Sequence, residues 1–470
     1  MHEKDIVILG GGPTGLGAAW RLEECASSDR LSRQQDWILL DASSTIGGAA
    51  RSITDEKGYT WDLGWHGLYS HYPYFDQVLD TVMGGEWVVG ELSSYIWVSG
   101  TFVPTPIQKN VRRLPPANVV NCIHGLLDSR LARAEDRPVT NFQSWLMSEF
   151  GRGLCELFFF PFNRKMWAHS LESMGTEWTT RRSNSGRANV PQVDLHGLLR
   201  NIITKEDDPD SKPLCIKYPA EGGIGTLWRR LGGRLPADRV RLNTPVTAID
   251  ADAHTVRLGD GTTIRYRHMV SALPIDRLLT TLGRPDLVTY SRQLKSCGMH
   301  AIGFGIRGEL PSALESKRYV LFPDAAIPFH RITIVSNNSP ANVPCDGPHW
   351  SILCEVCTST ERPIDERKIV NDVRDALAML PFLPPALLID TVFHTSAPYA
   401  YAVPTLGRDD VLHAVQSILR SLDIWSRGRF GGWKYEVGNM DHSFMQGVEA
   451  IDNLLFGTDE VTYFTPGTVE

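Results

Sequence analysis

The chain has 470 residues, enough for two or three domains with ample core. Lys and Arg number 47 against 54 Asp and Glu, and the modest net charge of −7 excludes an electrostatic footprint for nucleic acid. No apolar run approaches the roughly 18 residues of a membrane span. The first strand pattern starts within about five residues of the N-terminus, leaving no room for a signal peptide, so a reducing, cytoplasmic setting is expected.

The chain opens with the apolar run Ile6-Val7-Ile8-Leu9, the turn Gly10-Gly11-Gly12-Pro13-Thr14-Gly15, and a helical pattern carrying Ala18, Ala19 and Leu22. A second apolar run, Trp37 to Leu40, closes on Asp41, and Gly47-Gly48 follow. Gly10 permits the tight turn, Gly12 lets a pyrophosphate approach the backbone at the helix N-terminus, and Gly15 lets helix and strand pack closely. Asp41 can accept hydrogen bonds from a ribose hydroxyl. A GxGxxG string alone is weak evidence in a chain with 41 glycines. With the strand before it, the helix after it, the acid, and Gly47-Gly48 leading to Arg51-Ser52, the pattern resembles the FAD-binding fingerprint of the glutathione-reductase and amine-oxidase type. Its expected cofactor contacts are Gly10, Gly12, Thr14, Gly15, Asp41, Gly47 and Gly48. A tightly bound NAD and a bare structural turn are the alternatives.

Tyr59 to Gly67 reads as a strand running into a glycine-bounded loop, and loops leaving such strands tend to meet the cofactor. His66 faces the cofactor on this reading, and is hydrogen-bonded in a core on the other. From Pro73 to Asn201 the patterns are mostly helical, as in Tyr74 to Val82, Val119 to Arg133 and Asn141 to Glu156. A hairpin, Ser94 to Val103, interrupts them and runs into Pro104-Thr105-Pro106-Ile107-Gln108. Lys205 to Pro213 is a polar connector. A second glycine turn, Tyr218 to Gly225, precedes a helix from Leu227 to Leu231. Strands follow at Val240 to Ile249, Thr255 to Leu258, Thr262 to Tyr266 and His268 to Ala272, with Asp260-Gly261 as a hairpin turn. His300 to Ile306, Tyr319 to Phe322, Ile332 to Ser336, Trp350 to Val356 and Ile389 to His394 suggest an antiparallel sheet. Cys354 and Cys357 lie inside one of these apolar runs and read as packing, because redox CxxC pairs usually open a helix. Asp410 to Leu422 is helical. Trp425 to Leu455 holds a glycine-rich turn and a helix with Phe444, Val448, Ile451 and Leu455 on one side. The expected fold is α/β: a Rossmann-like FAD-binding domain from 1–72, 215–290 and 420–470, an inserted helical domain at 73–204, and an antiparallel sheet domain at 291–419.

The stretch Trp425-Ser426-Arg427-Gly428-Arg429-Phe430-Gly431-Gly432-Trp433-Lys434-Tyr435-Glu436-Val437-Gly438-Asn439-Met440-Asp441-His442-Ser443 resembles the C-terminal flavin-binding segment of eukaryotic-type UDP-galactopyranose mutases. The likeness runs nearly end to end, through Gly12-Pro13-Thr14-Gly15-Leu16-Gly17, Ser70-His71-Tyr72, Pro161-Phe162-Asn163, Lys165-Met166-Trp167-Ala168 and Pro328-Phe329-His330-Arg331. The resemblance implies an isomerase that interconverts pyranose and furanose forms of a nucleotide sugar. Reduced FAD would attack the anomeric carbon through N5 and expel the nucleoside diphosphate, the sugar would reclose through a different hydroxyl, and no net electrons would move. Arg182 and Arg331 would hold the diphosphate, a role suited to a planar cation that never deprotonates. Tyr401 and Tyr435 would donate to the same group, with His66 beside the flavin. Gln108, Asn163 and Trp167 would belong to the substrate cleft, and Gly64, Val246, Arg429, Gly438, Asn439, Met440 and Ser443 to the flavin site.

Several positions depart from that family. Thr105 and Ile107 stand where a tyrosine and a phenylalanine usually hold uracil, while Gln108 is retained. Losing two aromatic faces removes about 1 kcal/mol per contact and leaves space, so a purine and a GDP-hexose are expected, with a UDP-hexose as the other option. Leu321 replaces a tyrosine near the diphosphate. Trp65 replaces a glycine and does not freely adopt positive φ. Leu92 replaces an arginine linked to NADPH in fungal members, which leaves NADPH or NADH open as reductant. The competing activity is an FAD-dependent oxidoreductase of the amine-oxidase type, against which two diphosphate-binding arginines speak; a non-catalytic nucleotide-sugar binder is a third reading. A homo-oligomer is expected through the helical insert.

Overall fold

The strand His2–Leu9 forms the centre of the first of two seven-stranded sheets. The computed structural model describes residues 2–27, 33–134, 138–180, 193–207 and 214–468. Ile6, Val7 and Ile8 have no exposed surface, as an apolar run without alternation requires when both faces of a parallel strand are covered. His2–Leu9 pairs in parallel with Trp37–Leu40 and with Thr263–Ser271. Val240–Arg241 extends the sheet beyond Trp37–Leu40. Thr255–Leu258 and then Val246–Asp250 extend it antiparallel on the other side, and Ile424–Ser426 also pairs with Thr263–Ser271.

Two expected strand patterns resolve differently. Val240 to Ile249 breaks in two, because Asn243 takes a left-handed φ of 51° and Pro245 has no N–H to donate. The two runs from Thr262 to Ala272 merge into one strand, Thr263–Ser271, whose pairing with His2–Leu9 carries through the exposed Arg267.

The second sheet runs in the order Ile389–Val403, Lys295–Arg307, His349–Thr358, Arg331–Ile334, Tyr319–Leu321, Ser94–Val98, Thr101–Pro104. Its pairs are antiparallel except Tyr319–Leu321 with Ser94–Val98, which are parallel. The hairpin read within the helical stretch thus belongs to this sheet by its hydrogen bonds. Ile389–Val403 tolerates Pro398 because it is an edge strand. Cys354 and Cys357 are buried in His349–Thr358, and all eight cysteines are free. The helices Pro116–Ala134 and Phe142–Leu154 pack on one another, the second continuing through a π turn, Cys155–Phe159, into Phe160–Trp167. Among the described residues no helix is long and apolar enough to cross a membrane.

The feature that positions the site is the contact between the helix Pro13–Ala26 and the helix Met440–Phe456. A Cβ at Gly15 would collide with Gly10 O, which confirms the tight approach of helix to strand. A Cβ at Gly17 would meet Phe444 O, and one at Gly447 would meet Thr14 O. The two helices therefore cross at backbone contact, with Arg21 Nε donating to Asp452 Oδ1 at 2.7 Å nearby. Gly447→Ala is expected to force them apart and destabilise the protein by about 2 kcal/mol or more, measurable as a fall in chemical-denaturation midpoint; an unchanged midpoint would show that the contact is slack.

Candidate functional site

A cavity of about 540 Å³ is lined by elements of both sheets. One wall is the Gly10–Thr14 turn with Asp41 and Gly48. The other carries the loop from Gly64 to Tyr69, Arg331, Glu355, the strand residues Ala397 to Tyr401, and the C-terminal residues Arg429 and Gly438 to Ser443. The helices Pro13–Ala26 and Met440–Phe456 both begin here, and neither N-terminus has a side-chain cap. Their first-turn N–H groups and dipoles are thus available to an anion. Asp41 is fixed at the rim by the Gly11 N–H, at 2.5 Å, and the Ser43 N–H, at 2.6 Å. Two uncapped helix starts and a carboxylate at the end of the second strand fit the diphosphate and ribose of FAD.

The opposite side is organised by Glu355. This carboxylate has no exposed surface and sits directly across the strand pair from Arg331. Arg331 donates Nε to Oε1 at 2.9 Å and Nη2 to Oε2 at 2.5 Å. Oε1 also accepts the backbone N–H of Trp65 at 3.0 Å. The guanidinium lies 5.9 Å from the Trp65 ring and 5.7 Å from that of Tyr319, within cation–π range. Burial works against the charge of Arg331, but Glu355 outweighs it and raises the pKa, so the cation is permanent. Trp65 avoids positive φ because Gly64 takes the strained value, 126°.

His66 follows Trp65, with Nδ1 3.0 Å from Gly64 O. A carbonyl can only accept, so Nδ1 carries the proton and Nε2 keeps a lone pair. Burial, with Arg429 and Arg331 nearby, pushes the His66 pKa down to about 4. Burial pushes the Tyr401 and Tyr435 phenols up, keeping both as O–H donors at neutral pH. Their rings are 5.9 Å apart. Trp167 backs them, its ring 4.8 Å from Tyr435 and 5.8 Å from Tyr401, with its indole donating to Asn163 Oδ1 at 3.1 Å. Arg429 donates to Gly438 O and Ala400 O at 3.0 and 2.8 Å, bracing both cavity-lining segments.

The structure brings together Gly10, Gly12, Thr14, Asp41, Gly48, Gly64, His66, Arg331, Tyr401, Arg429, Tyr435, Gly438, Asn439, Met440 and Ser443 on the cavity wall. Gly15 and Gly47 shape the turns behind it without lining it, and Val246, at the start of its strand, is also off the lining. Asn163 and Trp167 stand behind the tyrosines. Leu321 faces Arg331 across the adjoining strand pair. Thr105 bonds Ser94 through their hydroxyls, Ile107 is 1% exposed within a core cluster, and Gln108 is buried. Arg182 and residues 208–213 of the polar connector lie outside the described residues. Sequence reasoning misses Glu355, although a carboxylate inside the apolar run Ser351 to Cys357 is a visible signal. It also misses Tyr69, whose hydroxyl accepts from Asn439 Nδ2 at 3.0 Å, and Asp441, which accepts the His71 N–H and Nδ1 at 3.1 and 2.7 Å.

The family described as flavin containing amine oxidoreductase matches residues 13–450. A solved structure of reduced UDP-galactopyranose mutase is similar at a TM-score of 0.92 and 37% identity, over 99% of this chain and 98% of that one. A putative protoporphyrinogen oxidase from Exiguobacterium sp. 255-15 gives 0.69 and 17%, over 97% and 99% of the two chains. Cyclohexylamine oxidase from Brevibacterium oxydans IH-35A gives 0.64 and 15%, over 96% and 98%. The latter two share the fold.

Glu355→Gln is expected to cost about 3 kcal/mol of stability. A double-mutant cycle with Arg331→Met should show coupling of about 2 kcal/mol, and additive effects would mean that the pair is not a unit. For His66, the unfolded chain takes up a proton near pH 6.5 that the folded protein refuses until about pH 4. Stability is therefore lost as pH falls through that window. His66→Asn should flatten this part of the stability profile, and an unchanged slope would show that His66 is not its source.

Proposed function

The chain belongs to the UDP-galactopyranose mutases within the flavin-containing amine oxidoreductase family, and from that premise we propose that it converts a nucleotide hexose between its pyranose and furanose forms. The observation that carries this reading is the convergence of Arg331, Tyr401 and Tyr435 on one cavity with two uncapped helix N-termini. When FAD is bound and reduced, it supplies a nucleophilic nitrogen for the anomeric carbon. The departing diphosphate needs fixed positive charge. Arg331 provides it, with one edge of its fork held by Glu355 and the remaining N–H groups left for phosphate oxygens. Arg182 supplies the second cation. Tyr401 and Tyr435 add neutral donors whose protons burial retains. His66 presents an uncharged Nε2, able to accept a proton from a sugar hydroxyl as the ring recloses. Asn163 and Trp167 hold the tyrosines in place.

We read the nucleotide as GDP. The support is the departure of the sequence from the family pattern at Thr105, Ile107 and Leu321, of which Leu321 pairs with Arg331 across its strand. NADPH or NADH is the proposed source of reducing equivalents.

A panel of UDP-, GDP- and dTDP-hexoses incubated with dithionite-reduced protein, with ring forms resolved chromatographically, tests the activity. Conversion is expected only in the reduced state and without stoichiometric loss of reductant. Failure with every nucleotide sugar, together with anaerobic bleaching of the flavin by an amine, would establish the oxidoreductase reading. Arg331→Ala should lower turnover by about 100-fold or more while leaving the protein yellow. GDP should protect against thermal unfolding more than UDP does, and equal protection would overturn the purine assignment.

A further inference from the structure

Beside the flavin cavity lies a smaller hollow of about 180 Å³. The two share Gly48, Ala49, Leu63, Met299 and Ala397, so the hollow is a side branch, and its far end carries Arg51 and Thr395. Alternation along Ile389–Val403 puts Thr395 on the same side as Ala397, which lines both the hollow and the main cavity. Arg51 is the one charged residue of the lining and is half-buried. Among the described residues, no hydrogen bond or ion pair engages its guanidinium or the Thr395 hydroxyl.

That is unusual among the described arginines that are not exposed. Arg331, Arg408 and Arg427 are each held by a carboxylate, from Glu355, Glu436 and Glu460 respectively, and Arg318 by the carbonyl oxygens of Glu91 and Asn337. A guanidinium never sheds its charge at physiological pH. Withdrawing one from water without a counter-charge costs free energy that an incoming anion recovers. A planar fork and a hydroxyl lining the same small hollow match a tetrahedral oxyanion.

We propose that this branch is a phosphoryl-binding subsite for a nucleotide other than the resident flavin. Arg51 pairs two phosphate oxygens and the Thr395 hydroxyl donates to a third. The proposal rests on the main cavity holding FAD. It is separate from the Arg331 clamp, which lines the main cavity and not the branch. The phosphoryl group belongs either to the nucleotide sugar or to a phosphorylated dinucleotide reductant, and the two are separable.

Isothermal titration of the FAD-loaded protein with GDP, NADP⁺ and NAD⁺ tests it, comparing wild type with Arg51→Ala and Arg51→Lys. GDP or NADP⁺ is expected to bind, and Arg51→Ala to weaken that ligand by about tenfold or more, with partial recovery in Arg51→Lys and unchanged FAD content. Loss confined to GDP assigns the group to the nucleotide sugar. Loss for NADP⁺ but not NAD⁺ assigns it to the 2′-phosphate of a dinucleotide. The proposal falls if neither probe binds, if Arg51→Ala leaves both affinities unchanged, or if that variant loses FAD, which would place Arg51 in the flavin site. None of these readouts measures turnover, so an inactive but Arg51-dependent protein would refute the mutase reading and leave the subsite standing.

Discussion

Two helices meet at backbone contact, and the site depends on that meeting. Pro13–Ala26 and Met440–Phe456 can approach so closely because Gly17 and Gly447 present no side chain where they touch. The consequence is electrostatic. Both helices start at the same cavity, so two sets of unpaired N–H groups and two positive dipole ends add there. A cofactor carrying a diphosphate is the natural occupant, and the sheet centred on His2–Leu9 holds that arrangement rigid.

The opposite wall is built differently. A single carboxylate with no exposure to water, Glu355, takes both a guanidinium edge and a main-chain N–H from the loop that carries His66. Burying that charge alone would be prohibitive, and burying it opposite Arg331 is tolerable. Loop and cation are thereby referred to one atom group on one strand. The tyrosines are set similarly, through Trp167 and Asn163 rather than through their own hydroxyls. Among the described residues neither tyrosine hydroxyl takes a hydrogen bond, and the groups behind the rings do the positioning.

Features governed by neighbours along the chain are legible in the sequence. The glycine turn, the apolar strand His2–Leu9 and the acid at its partner's end follow from short-range spacing. The run around Cys354 reads as a buried strand, and it is one, yet that reading hides Glu355, because its partner Arg331 is recognisable only once the register of the two strands is known. Likewise Ser94–Val98 announces itself as a hairpin but not as the parallel neighbour of Tyr319–Leu321, a pairing across more than two hundred positions that local pattern does not encode. Pro245 and Asn243 signal a break that the surrounding alternation obscures. Thr105 and Ile107 stand out by their departure from the family pattern, whereas the turning of Ile107 into the core depends on long-range packing.

The helix contact also bears on how the protein comes into being. Arg21 and Asp452 are 431 positions apart, and a chain is synthesised from one end. The first helix forms early with its cofactor-facing end complete in itself, then waits, exposing the glycine face meant for a partner not yet made. Such long-range closure is slow and leaves surfaces open to misassociation. A cavity bordered by both helices is complete only once the last one has docked.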